Sequence, residues 1–220
     1  ITTTDVIRSQ QDHPVYLIGE IHRQPSIDGL EQCSQQINNL ALVLGKQQVP
    51  AHEAGHIITT LTDALTQRLI KLAQLELGPA PCVFSWLCFG SQARMDQSIN
   101  ADQDNALLLE KEPTGEVATY FAQLAEYVCQ GLARCGITLC PGNIMASNPE
   151  LRMSLKGWSG KFAKWISAPT PEAILKASIF FDMRIVEGSK GLFNALHQDI
   201  LARTHQSFFL MQLAQTALQR

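Results

Sequence analysis

FGSQARMDQSINADQDNALLLE, residues Phe89 to Glu110, holds a Gly-Ser pair that closes one apolar run and two aspartates, Asp102 and Asp104, that open a second. Asn105 to Leu109 reads as a strand. Period-two alternation carried back through Asp104 and Asp102 sets both carboxylates on one face. Two such carboxylates repel unless a cation lies between them, which points to a divalent metal. Mg²⁺ held by one or two carboxylates while it bridges substrate phosphates is the recurring use of such a pair. Gly90 and Ser91 fit the same chemistry, because a turn without a Cβ that leads into the free amides of a helix start lets a triphosphate approach the backbone.

Outward from this stretch, Cys82 to Phe89 (CVFSWLCF) is short, apolar and bounded by Pro81 and Gly90, as a buried central strand is. Ser178 to Val186 (SIFFDMRIV) reads as a third strand. Asp182 within it is costly to bury unless it is paired or bound to metal. Asp182 and Arg184 share a face of that strand, so an internal ion pair and a metal-site acid both stay open. Arg94 could donate to a phosphate or pair with Asp96 or Asp102. Ser26 caps a helix that carries Ile27, Leu30, Ile37, Leu40 and Leu44 and ends near Gly45. A second helix runs from Ala51 to Leu77 and is stopped by Gly78-Pro79-Ala80-Pro81. Glu116 to Cys135 is an amphipathic helix. Asn148 and Pro149 are expected to open another, with Trp158 and Trp165 as core and Lys156, Lys161 and Lys164 on its polar side, solvated or holding a triphosphate. Gly191 to Leu218 reads as one or two helices with His197 and His205 on polar faces.

The Gly-Ser pair followed by Asp-x-Asp resembles the nucleotidyltransferase superfamily with the DNA polymerase beta-like fold. Gly90-Ser91-Gln92-Ala93-Arg94 with Asp102-Gln103-Asp104-Asn105 is more specifically similar to the nucleotidyltransferase domain that follows CBS domains in bacterial signal-transduction proteins, a relative of the PII uridylyltransferases and glutamine synthetase adenylyltransferases. That family usually has Gly where Ala93 stands and Glu where Asp96 stands. The loop from Cys140 to Pro149 is similar to a segment common to the family, and Asp182-Met183-Arg184 to the Asp-x-Arg of the adenylyltransferase relatives. The resemblance implies an α+β fold: a small mixed sheet flanked by helices and preceded by a helical hairpin. It implies Asp102, Asp104 and Asp182 as metal-site acids, and Gly90, Ser91, Arg94, Asn105 and Arg184 as nucleotide contacts. The cofactor would be Mg²⁺ and the substrate a nucleoside triphosphate. The acceptor would be a hydroxyl, on a regulatory protein as for the PII uridylyltransferases. A catalytically silent Mg-NTP sensor is the alternative.

Ile1 to Arg8 (ITTTDVIR) is similar to the closing strand and helix start of a CBS domain. Residues 1–25 are therefore expected to be the tail of an upstream CBS or cyclic-nucleotide-binding-like regulatory module in a longer protein, or an extended linker punctuated by Pro14 and Pro25. Residues 26–78 would form the helical hairpin and 79–220 the nucleotidyltransferase domain with its C-terminal helices.

Of 220 residues, 45% are hydrophobic and 17% charged, which fits a globular chain and no disordered one. A net charge of −3 argues against nonspecific nucleic-acid binding. No apolar run approaches the length of a membrane-spanning helix, so no membrane partner and a cytoplasmic location are expected. The six cysteines form no Cys-x-x-Cys pair and lie mostly in apolar segments, as reduced buried thiols do. His52-Glu53-Ala54-Gly55-His56 matches the zinc-peptidase pattern His-Glu-x-x-His. It sits in the first turn after Pro50, and Glu76 lies roughly 30 Å further along the same helix, too far to close a metal site.

Overall fold

The computed structural model describes residues 14–168 and 170–204, together with residues 211 and 214. Within them a four-stranded mixed sheet of order β3-β2-β1-β4 is flanked by eight helices. The helices are α1 (Pro14–Arg23), α2 (Ile27–Lys46), α3 (Ala51–Leu77), α4 (Gly90–Arg94), α5 (Gly115–Arg134), α6 (Leu155–Ser167), α7 (Pro171–Phe180) and α8 (Lys190–Arg203). The strands are β1 (Phe84–Phe89), β2 (Asn105–Leu109), β3 (Arg152–Ser154) and β4 (Met183–Gly188).

β1 runs antiparallel to both neighbours, with Phe84 opposite Leu109 and Cys88 opposite Asn105 on one side and Cys88 opposite Arg184 on the other. β3 pairs parallel to β2, Leu107 facing Arg152. Both faces of β1 and β2 are buried, which is why these strands read as continuous apolar runs. Phe84, Trp86, Cys88, Leu107 and Leu109 join the core made with α3 and α5. Leu87, Phe89, Ala106 and Leu108 meet Trp158 and Phe162 of α6, Phe180 of α7 and Leu196 of α8. The Trp158 indole donates to the Leu107 carbonyl at 3.0 Å, satisfying its polar atom inside that layer.

The boundaries of α3 and β2 agree with the sequence, and Ser26 caps α2 by accepting from the Gly29 amide at 3.3 Å. Four expectations change. Cys82 and Val83 lie outside the strand, where Glu110 donates its amide to the Val83 carbonyl. The segment read as a strand from Ser178 is helical to Phe180, then turns at Phe181 and Asp182 before β4. Thr170 caps α7 by accepting from Ala173, and Ile174, Ala177 and Phe180 are buried at helical spacing. Phe180 stacks on Trp165 and meets the edge of Phe89, so tertiary packing overrides the β preference of Ile179-Phe180-Phe181. Asn148 accepts from Glu150, but only a 3₁₀ turn follows, then β3; α6 starts at Leu155 with Ser154 as its cap. Lastly, Pro14–Arg23 is a helix and no extended linker, with Leu17 and Ile21 fully buried. His197 is exposed. The CBS-like string at Ile1 to Arg8, and His205, lie outside the described residues.

Candidate metal and nucleotide site

β1 delivers Phe89 and Gly90 to one end of the sheet, and β2 begins beside them because the Phe89 amide donates to the Asp104 carbonyl at 2.9 Å. Residues 102–104 continue in extended form: Asp102 makes an isolated parallel bridge to Thr138, and the Gln103 amide donates to the Thr138 carbonyl. Alternation follows the expected period. Gln103 turns inward, 1% exposed, and its Nε2 donates to the carbonyls of Cys129 and Ile137, both at 2.9 Å. Asp102 is exposed and Asp104 half-buried on the opposite side.

Cys140 completes the group. One donor atom each from Asp102, Asp104 and Cys140 lies within 4.8 Å of the others, the one such set of three or more His, Cys, Asp or Glu residues among those described. The Cys140 thiol donates to Asp104 Oδ1 at 3.4 Å. Burial pushes the Asp104 carboxyl above its ordinary value; the nearby Asp102 charge adds to this, while the Cys140 contact pulls the other way. The chemistry of this donor set fits a divalent cation, which would relieve both the burial and the repulsion.

Gly90 has φ +56°, a left-handed conformation, and a Cβ there would stand 3.2 Å from Asp104 Oδ2. Gly90→Ala is therefore expected to cost about 1 kcal/mol of stability and to weaken divalent-cation binding by crowding Asp104. Isothermal titration with the cation alone, beside a melting curve, separates the two effects; unchanged affinity would remove Gly90 from the site. Ser91 is half-buried, and its carbonyl accepts from the Asp96 amide, closing the turn that follows.

Arg94 is held by two acids. Its Nη1 donates to Asp182 Oδ2 at 2.7 Å and its Nε to Asp96 Oδ2 at 3.1 Å. Asp182 thus lies on Arg94 and outside the Asp102, Asp104 and Cys140 set, and it is not paired with Arg184. Arg184 instead grips Asp63 of α3 with both Nη atoms, at 2.7 and 3.0 Å, and donates to the Gln92 carbonyl. Asn105 also faces inward at 2% exposure: its Oδ1 accepts from the Ala146 amide at 2.7 Å and its Nδ2 donates to Gln103. These two residues, expected at the nucleotide, brace the site from behind. The reason is shared: each stands on the face of its strand that α3 and α5 cover. Lys156, Lys161 and Lys164 line a separate groove with Glu112 and Trp165; Glu112 follows the end of β2 opposite Asp104, and Lys161 lies over the Trp158 and Trp165 rings.

The His-Glu-x-x-His string does not assemble a metal site. The buried face of α3 there is Gly55, Ile58 and Thr59. A Cβ on Gly55 would press the Asp96 backbone at 3.0 Å, so α3 packs directly on the loop after α4. His52 and Glu53 point outward, 80% and 59% exposed, and His56 is exposed as well. Sequence reasoning missed Cys140, Gln103 and Asp63. Cys140 carried the one available signal, in its special loop, but an apolar setting made it look inert.

A family model described as "Putative nucleotidyltransferase DUF294" matches residues 35–172. The match takes in Gly90, Ser91, Arg94, Asp102, Asp104 and Cys140, and ends before Asp182 and Arg184. No curated protein matches the chain. Among the described residues no helix is long and apolar enough to cross a membrane.

Proposed function

Because the chain belongs to the DUF294 family of putative nucleotidyltransferases, we propose that it moves a nucleoside monophosphate from a nucleoside triphosphate to a hydroxyl, with Mg²⁺ held by Asp102 and Asp104. The observation that carries the reading is the convergence of these two carboxylates beside the left-handed Gly90 turn. The bound cation would neutralise the triphosphate and lower the pKa of the attacking hydroxyl. Gly90 and Ser91 leave room for the phosphates at the backbone. Arg94, exposed and cationic, would exchange its bonds to Asp96 and Asp182 for a phosphate oxygen. Asp182, once released, would serve as the third acid. The acceptor oxygen forms its bond to the α-phosphorus in line as the bond to pyrophosphate breaks, and the hydroxyl proton leaves to water. We further propose a regulatory protein as the acceptor, in a cytoplasmic signalling chain with an upstream CBS or cyclic-nucleotide-binding-like module.

Calorimetric titration with ATP, UTP, CTP and GTP, in Mg²⁺ and in EDTA, tests the site. Binding in Mg²⁺ alone is expected, and the tightest nucleotide names the base preference. Equal binding in EDTA would overturn the metal pair. Label from an α-labelled triphosphate that reaches a protein marks transfer, whereas binding without transfer marks a silent sensor.

A further inference from the structure

We infer that Cys140 is a third protein ligand of the cation, through its thiolate, and that it makes the site hold borderline transition ions of the Zn²⁺ and Co²⁺ class more tightly than Mg²⁺. This rests on the reading of Asp102 and Asp104 as the cation pair.

Geometry is the first ground. Cys140 Sγ stands 3.4 Å from Asp104 Oδ1, and all three donor atoms lie within 4.8 Å of one another. Ligands at about 2.3 Å for sulfur and about 2.1 Å for oxygen around a tetrahedral ion stand roughly 3.6 Å apart. The separation between Cys140 and Asp104 needs only a small adjustment to accept one.

Placement is the second ground. The loop that carries Cys140 is tied along the aspartate segment at both ends. Gln103 donates to Thr138 at 2.9 Å before it, and Asn105 donates to Ile144 at 3.0 Å after it. The Asn143 amide donates back to the Cys140 carbonyl, and the Ala146 amide is held by the Asn105 side chain. The thiol is therefore positioned before any ligand arrives. Cys33, Cys88, Cys129 and Cys135 are buried as well, yet none joins such a donor set.

Chemistry is the third ground. Carboxylates alone suit Mg²⁺, whereas a thiolate favours softer ions and contributes little to Mg²⁺. Coordination replaces the S–H bond with a sulfur–metal bond, and the proton goes to solvent. Asp102 is exposed, so the outer side of the ion stays open to substrate oxygens.

The test uses the whole chain, reduced and free of metal and nucleotide, titrated with Co²⁺ and with Cd²⁺. A thiolate-to-metal charge-transfer absorption that saturates at one equivalent is expected. Cys140→Ser should abolish the band and weaken Co²⁺ binding by about tenfold or more. A wild-type chain without the band, or a band that survives in Cys140→Ser, overturns the inference. If Cys140→Ser fails to fold, X-ray absorption of the Co²⁺-loaded wild type counts sulfur neighbours directly, and a shell without sulfur overturns it. Nucleotide binding in Mg²⁺ without a band would sink this inference alone. A band without nucleotide binding would sink the transferase reading alone.

Discussion

Asp102→Asn/Asp104→Asn is expected to lower nucleotide transfer by roughly a thousandfold, the several kcal/mol that a bound cation contributes, and to leave a folded and slightly more stable chain. The loss follows from removing both carboxylates proposed to hold the cation. The gain follows from the setting of Asp104. Its carboxyl is pushed above the ordinary value mainly by burial, with Asp102 adding to it. A carboxyl whose folded-state pKa is raised keeps its proton where the unfolded chain has lost it. Its contribution to stability therefore falls as pH rises from the ordinary carboxylate value through the raised one, and the cost is complete above that window. Metal-free wild type should lose stability through the window, and Asp104→Asn should lose less. A divalent cation should restore the wild type at neutral pH and leave the double variant unmoved. Melting curves across pH, with and without the cation, read all three. Equal stabilisation of both chains by the cation would show that it binds elsewhere.

The contrast between what the sequence reveals and what it conceals runs along the distance between interacting residues. β2 and the placement of Asp102 and Asp104 were legible because period two is a local property: three residues decide that Gln103 goes in and its neighbours go out. α3 was legible for the same reason, since its apolar stripe and its Gly78-Pro79 stop are contained in one stretch. β3 was not, because three residues of a parallel pair carry no period and exist only through pairing with Leu107 to Leu109. Phe180 misled because its aromatic neighbours favour a strand, while the decisive contacts, to Phe89 and Trp165, are made by other elements. At the site, Cys140 stands 36 residues from Asp104 and Arg184 stands 121 from Asp63. Neither pairing has a spacing to betray it. An Asp182–Arg184 ion pair stayed open in the sequence because the two stand two apart in a run that reads as a strand, and the strand begins only at Met183.

Asp63→Ala is expected to cost about 3 kcal/mol, the low end of the penalty for leaving one member of an ion pair without its partner, because this pair is only half-buried. Asp63 is 15% exposed and Arg184 27%, and two parallel N–H···O bonds join them. Without Asp63 the guanidinium retains the Gln92 carbonyl alone, and its Nε is already buried with no partner. For a chain of this size the melting temperature should fall by roughly 10 °C. Asp63→Leu/Arg184→Met should fall less, because an apolar pair leaves no unpaired charge behind. The functional consequence separates the pair from ordinary core residues. Gln92, in the short helix between Gly90 and Arg94, also donates its side chain to Asp63 at 3.0 Å. Asp63 thereby ties α3 to both β4 and the turn beside Asp104. In Asp63→Ala, cation affinity measured well below the new melting temperature should drop along with stability, whereas a core truncation such as Leu61→Ala should lower stability and leave affinity unchanged. Equal affinities in the two variants would confine the ion pair to the stability of the fold.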